Sequence, residues 1–230
     1  GLVNLSATSG TVEFPRGSHS FTLFDQGTAV FQARNPTAET FKISATSGAI
    51  ASDSDSIQSN PLETATLVLQ GFPATVTAGA LFSGQIIARD RYGNTATGNN
   101  GQMLINTTDP APGSFPVSVA MANGIADLNN CAFYTTPKQT LRVKGAASGI
   151  TVSTDINVNV GAAARLRLSA DPDQYQNVPF IMKVAVVDSY GNLNTAVNTT
   201  FTVNSSLGSV SIPNGNIVAG ECQHSMALDT

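Results

Sequence analysis

The 230-residue chain has no tryptophan, only two cysteines and two histidines, and 11% charged residues. Its 11 lysines and arginines are scattered and its formal net charge is −4, so we expect no nucleic acid partner. No apolar run approaches the roughly 20 residues that span a bilayer, which predicts no membrane span in this segment. Gly1 is not followed by a basic and then apolar region, so any export signal is expected outside it.

The same scarcity argues against catalysis. Cys131 and Cys222 lack the spacing of a zinc site or a redox pair, and we interpret them as small buried thiols, with a cross-link between repeats as the alternative. The histidines, His19 and His224, lie far apart, and neither has the neighbouring nucleophile and carboxylate that a triad requires. The sequence therefore predicts a protein that is not an enzyme and that has no cofactor.

What the chain does contain is typical of short strands joined by turns. Thr, Ser, Asn, Val and Ala dominate, 20 glycines and 11 prolines punctuate the sequence, and no long helical period is present. The hydrophobic fraction of 41% is enough for a packed core. These features predict an all-β fold with almost no helix.

Internal similarity organises the chain. Residues 82–94 read FSGQIIARDRYGN, and they match residues 180–192, which read FIMKVAVVDSYGN, at an offset of 98 residues. The segment LVNLSATSG from Leu2 matches QMLINTTDP from Gln102 at an offset of 100 residues. Three copies of one repeat are therefore present.

The repeat predicts the domain organisation. Residues 1–60 are the C-terminal part of a first repeat, residues 61–160 are a complete second repeat, and residues 161–230 are the N-terminal part of a third. A unit of about 100 residues, with turn signals about every 8–12 residues, has the size of an immunoglobulin-like sandwich. We predict tandem immunoglobulin-like β-sandwiches, one complete and two partial, joined by linkers short enough to make a semi-rigid rod.

Residues 65–110 read ATLVLQGFPATVTAGALFSGQIIARDRYGNTATGNNGQMLINTTDP. This segment resembles the bacterial immunoglobulin-like repeats found in tandem in large surface and secreted proteins, and it is similar in outline to invasin and intimin modules. The resemblance implies an extracellular or cell-surface stalk, rod or filament component whose partners are neighbouring repeats of the same or adjacent chains. Two alternatives stay open: an adhesin module that binds a host or surface protein or glycan, and a subunit of an S-layer or other self-assembling filament.

The motif Asp-x-Tyr-Gly-Asn occurs at residues 90–94 and 188–192. Its carboxylate and amide oxygens are ligand types that calcium prefers. Gly-Asn also suits a tight turn, in which the aspartate accepts hydrogen bonds from turn amides. We favour the turn for Asp90 and Asp188, because a loop with one carboxylate cannot supply the roughly six to eight oxygens that calcium takes.

Two further acidic segments are calcium candidates near the predicted junctions between repeats. Asp53 and Asp55 lie in SDSDS, and Asp171 and Asp173 lie in DPDQ. Calcium bound between modules would stiffen a rod, but each segment lacks a third acidic ligand. We interpret both as solvated polar loops.

The third repeat stops roughly 30 residues short of the period, so the equivalent of TLRV is missing from it. We therefore expect Phe180, Val184, Val186 and Phe201 to be partly exposed. The expected origin is either a longer protein of which this chain is a fragment, or a filament in which a neighbouring chain supplies the missing strands.

Overall fold

The computed structural model describes residues 1–111, 114–175, 178–202 and 215–226. Within them the chain forms 19 β-strands and one three-residue 3-10 helix, Leu23–Asp25. The predicted all-β fold is confirmed. No helix in this described part of the chain is long and apolar enough to cross a membrane.

Six strands precede residue 60, and we call them the N-terminal strand group. Four of them form an antiparallel sheet in the order β2-β1-β4-β5, and β3 pairs with β6. Their bounds are β1 Leu2–Ala7, β2 Ser18–Ser20, β3 Thr40–Phe41, β4 Ile43–Ser47, β5 Ile50–Asp53 and β6 Ile57–Gln58.

The next eight strands form two sheets, which we call the central sandwich. One sheet has the order β12-β9-β7, and the other has the order β11-β10-β13-β14-β8. Strand β8 runs parallel to β14, and the other pairings are antiparallel. The bounds are β7 Thr66–Gln70, β8 Thr75–Thr77, β9 Phe82–Arg89, β10 Gln102–Thr107, β11 Ser118–Ala120, β12 Ile125–Cys131, β13 Lys138–Gly145 and β14 Thr151–Asn159.

The core of the central sandwich lies between these two sheets. Alternate residues along β10 and β13 point inward, as the two-residue period of a strand requires. Ile86 and Leu128 come from the smaller sheet and Leu141 and Ile156 from the larger one, and all four are fully buried. Phe133 follows β12 and packs against Phe82 and Phe115, and Phe72 packs against Phe82, so aromatic rings fill one part of this core.

The last five strands form the C-terminal strand group. Its sheet has the order β15-β16-β19, and β17 pairs with β18. Strand β16 lies 98 residues after β9 and has the same length and the same central place in a three-stranded sheet. The bounds are β15 Arg165–Ser169, β16 Phe180–Val187, β17 Thr199–Phe201, β18 Gly215–Ile217 and β19 Glu221–Met226.

The expected exposure of this last group was wrong for three of the four residues. Val184, Val186 and Phe201 are buried, and only Phe180 is half-buried. The reason is that β17 and β18 pack over the inner face of β16, where Phe201 and Ile217 join Val184 and Val186 in one hydrophobic cluster. The partial repeat therefore covers much of its own core.

A polypeptide of residues 61–160 should fold alone, because all the residues of the central hydrophobic cluster lie within it. We expect one cooperative thermal unfolding transition by circular dichroism. The variant Leu141→Ala should lower the free energy of unfolding by about 2–5 kcal/mol, since Leu141 is fully buried. A polypeptide without a cooperative transition would contradict these boundaries.

Candidate functional site

The Asp-x-Tyr-Gly-Asn loops follow β9 and β16, and the two have the same geometry. In the first, Asp90 Oδ1 accepts hydrogen bonds from the backbone N–H groups of Tyr92 and Asn94, both at 2.9 Å. In the second, Asp188 Oδ1 accepts the equivalent two bonds at 2.9 Å. Gly93 has a φ of +87°, which a glycine adopts without strain. This is the turn that the sequence predicts.

The second carboxylate oxygen of each aspartate, Oδ2, binds the linker that leads into the strand group to which that aspartate belongs. Asp90 Oδ2 accepts from the backbone N–H of Leu62 and from Asn94 Nδ2, both at 3.0 Å. Asp188 Oδ2 accepts from the N–H of Gly161 at 3.0 Å and from Asn192 Nδ2 at 2.9 Å. Each carboxylate thus receives four N–H donors, and the two aspartates are 3% and 0% exposed.

The asparagine that ends each motif reaches back to the preceding strand group. Asn94 Nδ2 donates to Pro36 O at 2.7 Å, and Asn94 Oδ1 accepts from the N–H of Ala38 at 3.0 Å. One repeat later, the side chain of Asn192 makes the same two bonds to backbone groups of the central sandwich. We call each such pair of hydrogen bonds an Asn clamp. In a clamp, one side-chain amide binds the backbone C=O of one residue and the backbone N–H of the residue two positions later, as a neighbouring strand would.

The second Asn clamp has the same dimensions. Asn192 Nδ2 donates to Tyr134 O at 2.7 Å, and Asn192 Oδ1 accepts from the N–H of Thr136 at 3.0 Å. The partners in the preceding group, Tyr134 and Thr136, again lie 98 residues after Pro36 and Ala38. The contact therefore repeats with the period of the sequence.

The backbone that receives Asn192 is held in place from its own side. Asp109 Oδ2 accepts from the N–H of Tyr134 at 2.6 Å, and Gln139 Nε2 donates to Thr135 O at 2.8 Å. These bonds use the alternate backbone groups, so Tyr134 O and the N–H of Thr136 are left to face Asn192. The buried side chain of Gln139 thus helps to hold the backbone that Asn192 binds.

The aspartates stay ionised in this buried setting. Burial raises the pKa of the Asp90 carboxyl, but the hydrogen bonds from Asn94, Leu62 and Tyr92 more than offset it and lower the pKa from 3.8 to about 2. The pKa of Asp188 is also lowered, because bonds from Asn192, Gly161 and Tyr190 outweigh the opposing effect of burial. The charged form is the one that the four N–H donors stabilise.

The other calcium candidates lie apart from these loops. Asp53 is exposed on β5 and accepts a bond from the Ser44 hydroxyl at 2.6 Å. Asp55 is exposed, and Asp171 Oδ1 accepts from the N–H of Asp173 at 3.1 Å in an exposed turn. Among the residues that the structure describes, no three His, Cys, Asp or Glu side chains come together as metal ligands would.

The cysteines and one histidine lie in structural surroundings. Both cysteines are free; Cys131 is fully buried in the central core and Cys222 is half-buried. Burial raises the pKa of both thiols. His19 Nε2 lies 3.2 Å from Asp25 Oδ2, a carboxylate that the sequence did not assign to it, and its other ring nitrogen faces Arg16.

Two features of the site were missed from the sequence. The asparagine was assigned to the turn alone, although it also contacts the preceding group. The ring centroids of Tyr134 and Tyr190 lie 4.7 Å apart, a contact that no pattern in the sequence predicts. The recurrence of Asn94 and Asn192 at one place in both copies was the signal available, because a turn could have ended in other residues.

No protein-family model matches the sequence, and no curated protein matches it. Among solved structures, domains 4–9 of the surface layer protein SbsC are 13% identical at a TM-score of 0.35; the match covers 98% of this chain and 34% of that one. SbsC domains 4 and 5 are 14% identical at a TM-score of 0.34, covering 53% and 66% of the two chains. A Salmonella alpha-2-macroglobulin is 14% identical at a TM-score of 0.32, covering 86% and 15%.

The chain thus spans about a third of the first of these structures. The similarity to invasin and intimin modules stays a prediction from the sequence.

The Asp90 carboxyl should titrate in strong acid. Because its pKa falls from 3.8 to about 2, its contribution to stability is complete above pH 3.8 and is lost as the pH falls through about 2. A carbon-13 NMR titration of this carboxyl should have its midpoint near 2. Since other carboxyls titrate in the same range, Asp90→Asn is the control: its acid unfolding should lack this component. A midpoint at or above 3.8 would contradict the hydrogen-bonded geometry.

Calcium should leave the stability of the whole chain unchanged. Four N–H donors already surround each of the Asp90 and Asp188 carboxylates, which leaves no oxygen facing an ion. Differential scanning calorimetry in EDTA and in millimolar calcium should give the same melting temperature. A large calcium-dependent rise would mean that an ion binds the folded state, and would return Asp53, Asp55, Asp171 and Asp173 to consideration as ligands.

Proposed function

We propose that this chain is a structural part of an extracellular or cell-surface repeat protein, in which immunoglobulin-like modules act as a stalk, rod or filament component. The observation that carries the proposal is the recurrence of the Asn clamp: Asn94 and Asn192 bind the preceding strand group through the same two backbone groups. A contact that repeats with the sequence period belongs to the scaffold, because a ligand site needs to occur only once.

At each junction, the clamp joins by hydrogen bonds two strand groups that the covalent linker also connects. At the second junction the linker N–H of Gly161 is bound by Asp188, and the same carboxylate holds Asn192 against Tyr134 and Thr136. Asn194 Nδ2 also donates to Gly161 O at 2.9 Å. Linker, turn and preceding group are therefore coupled through one buried carboxylate, which opposes rotation at the junction.

The immunoglobulin-like assignment of the modules rests on the strand connections of the central sandwich. The consecutive strands β7 and β8 pair in different sheets, β7 beside β9 and β8 beside β14. Sheets of three and five strands then enclose one core, as in sandwiches of that class.

The double variant Asn94→Ala/Asn192→Ala should make the chain more flexible without unfolding its strand groups. It loses two interdomain hydrogen bonds per junction, worth about 1–3 kcal/mol at about 0.5–1.5 kcal/mol each, which shifts the junction equilibrium about 5- to 150-fold. It also loses the bond that each asparagine donates to its own aspartate, while the three backbone N–H donors of that carboxylate remain. Small-angle X-ray scattering should show one well-defined maximum dimension for the wild type and a broader distribution for the variant.

Asn157→Ala is the matched control, because Asn157 is exposed on β14 and lies outside both clamps. Equal scattering from the wild type and the double variant would contradict the proposed joint.

Antibodies raised against residues 61–160 should label intact cells that produce the protein, and labelling only after lysis would contradict the proposed location.

A further inference from the structure

The second junction contains an aromatic contact in addition to the Asn clamp. The Tyr190 ring packs on the Tyr134 ring with an interplanar angle of 35°, and 4.7 Å separates the two centroids. The far end of the Tyr190 ring reaches the turn between β8 and β9. There it lies so close to Gly79 that a Cβ on this glycine would overlap the phenol oxygen and two ring carbons.

The surface that receives Tyr190 is firmly attached to the central core. The N–H of Gly79 donates to Phe133 O at 2.8 Å, and the N–H of Ala78 donates to Asn159 O at 2.8 Å. Phe133 is fully buried, and the next residue is Tyr134. Gly79 and Tyr134 are thus two sides of one rigid recess on the central sandwich, which we call the tyrosine socket.

The first junction is built differently. Pro36 lies 98 residues before Tyr134, so no aromatic ring is available at this position for Tyr92. The ring of Tyr92 is instead covered by its neighbour Arg91, whose guanidinium carbon lies 4.8 Å from the ring centroid. The Asn clamp is common to both junctions, whereas the tyrosine socket belongs to the second.

We propose that the tyrosine socket is a docking site on the central sandwich for a tyrosine from the loop of the following repeat, and that it determines the orientation of that repeat and which repeat sequences fit there. The Asn clamp binds mainly backbone groups of the preceding strand group, and the one side-chain contact there is the Thr136 hydroxyl, which donates to Asn192 Oδ1 at 3.4 Å. The clamp therefore carries little information about the sequence of its partner. The socket supplies that information, because Gly79 leaves space for a ring end and Tyr134 offers a ring face. This inference does not depend on where the protein resides.

The test uses the full chain and the exchange rate of the Thr136 amide proton, which is bonded to Asn192 when the junction is closed. In Gly79→Ala the added methyl group displaces the Tyr190 ring, which can rotate away while the sandwich stays folded. We expect Thr136 to exchange about 3- to 10-fold faster, the effect of losing one aromatic contact. The core amide of Val143 should exchange at the same rate in Gly79→Ala and Gly149→Ala, because Val143 is buried within the central sandwich and reports only the backbone strain that the two variants share.

Gly149→Ala is the matched control. Gly149 has a φ of +71° and Gly79 has a φ of +79°, so both substitutions strain the backbone alike, but no atom lies within 4 Å of a Cβ at Gly149. Thr136 exchange should therefore stay at the wild-type rate in this control. Tyr190→Ala should accelerate it as Gly79→Ala does, and the combination of the two should be no faster than Tyr190→Ala alone.

Two outcomes would overturn the proposal: equal Thr136 exchange in Gly79→Ala and Gly149→Ala, or fully additive effects of Gly79→Ala and Tyr190→Ala. Asn192→Ala separates this failure from failure of the joint itself. If Asn192→Ala accelerates Thr136 exchange and Gly79→Ala does not, the Asn clamp stands and the socket fails. If Asn192→Ala has no effect, the clamp fails, and with it the basis of the proposed structural function.

Discussion

A buried carboxylate is stable only if donors replace the water that it has lost, and in this chain the donors come from three different places. Asp90 and Asp188 each bind two amides of their own turn, one amide of the incoming linker, and the asparagine that reaches the preceding group. Turn, linker and junction are therefore formed together. Loss of any one of them would leave an ionised oxygen under-coordinated in a place that water does not reach.

The sequence predicted the parts of this arrangement that are local. Strand β16 repeats the pattern of β9, and the turn amides of Tyr92 and Asn94 bind Asp90 as expected for an Asp-led turn. The strand period and the turn chemistry act over a few residues, so a single segment contains the information for both. The number of repeats and their bounds followed from the offset, because one segment could be compared with its copy.

What the sequence did not predict depends on residues far apart in the chain. Asn192 binds Tyr134, 58 residues earlier, and no local pattern marks either residue as a partner. The contact between the Tyr134 and Tyr190 rings was missed for the same reason. The burial of Val184 and Phe201 was also missed, because it depends on how β17 and β18 fold over β16, which a count of missing strands does not reveal.

The clamp has a mechanical consequence for a chain under tension. Pulling the C-terminal strand group away from the central sandwich loads two connections side by side: the covalent linker at residues 160–164, and the hydrogen bonds from Asn192 to Tyr134 and Thr136. Because Asp188 binds both the linker amide of Gly161 and the side chain of Asn192, straightening the linker removes a donor from the same carboxylate that positions the clamp. Tension on the second junction is therefore shared between the covalent linker and a set of buried hydrogen bonds.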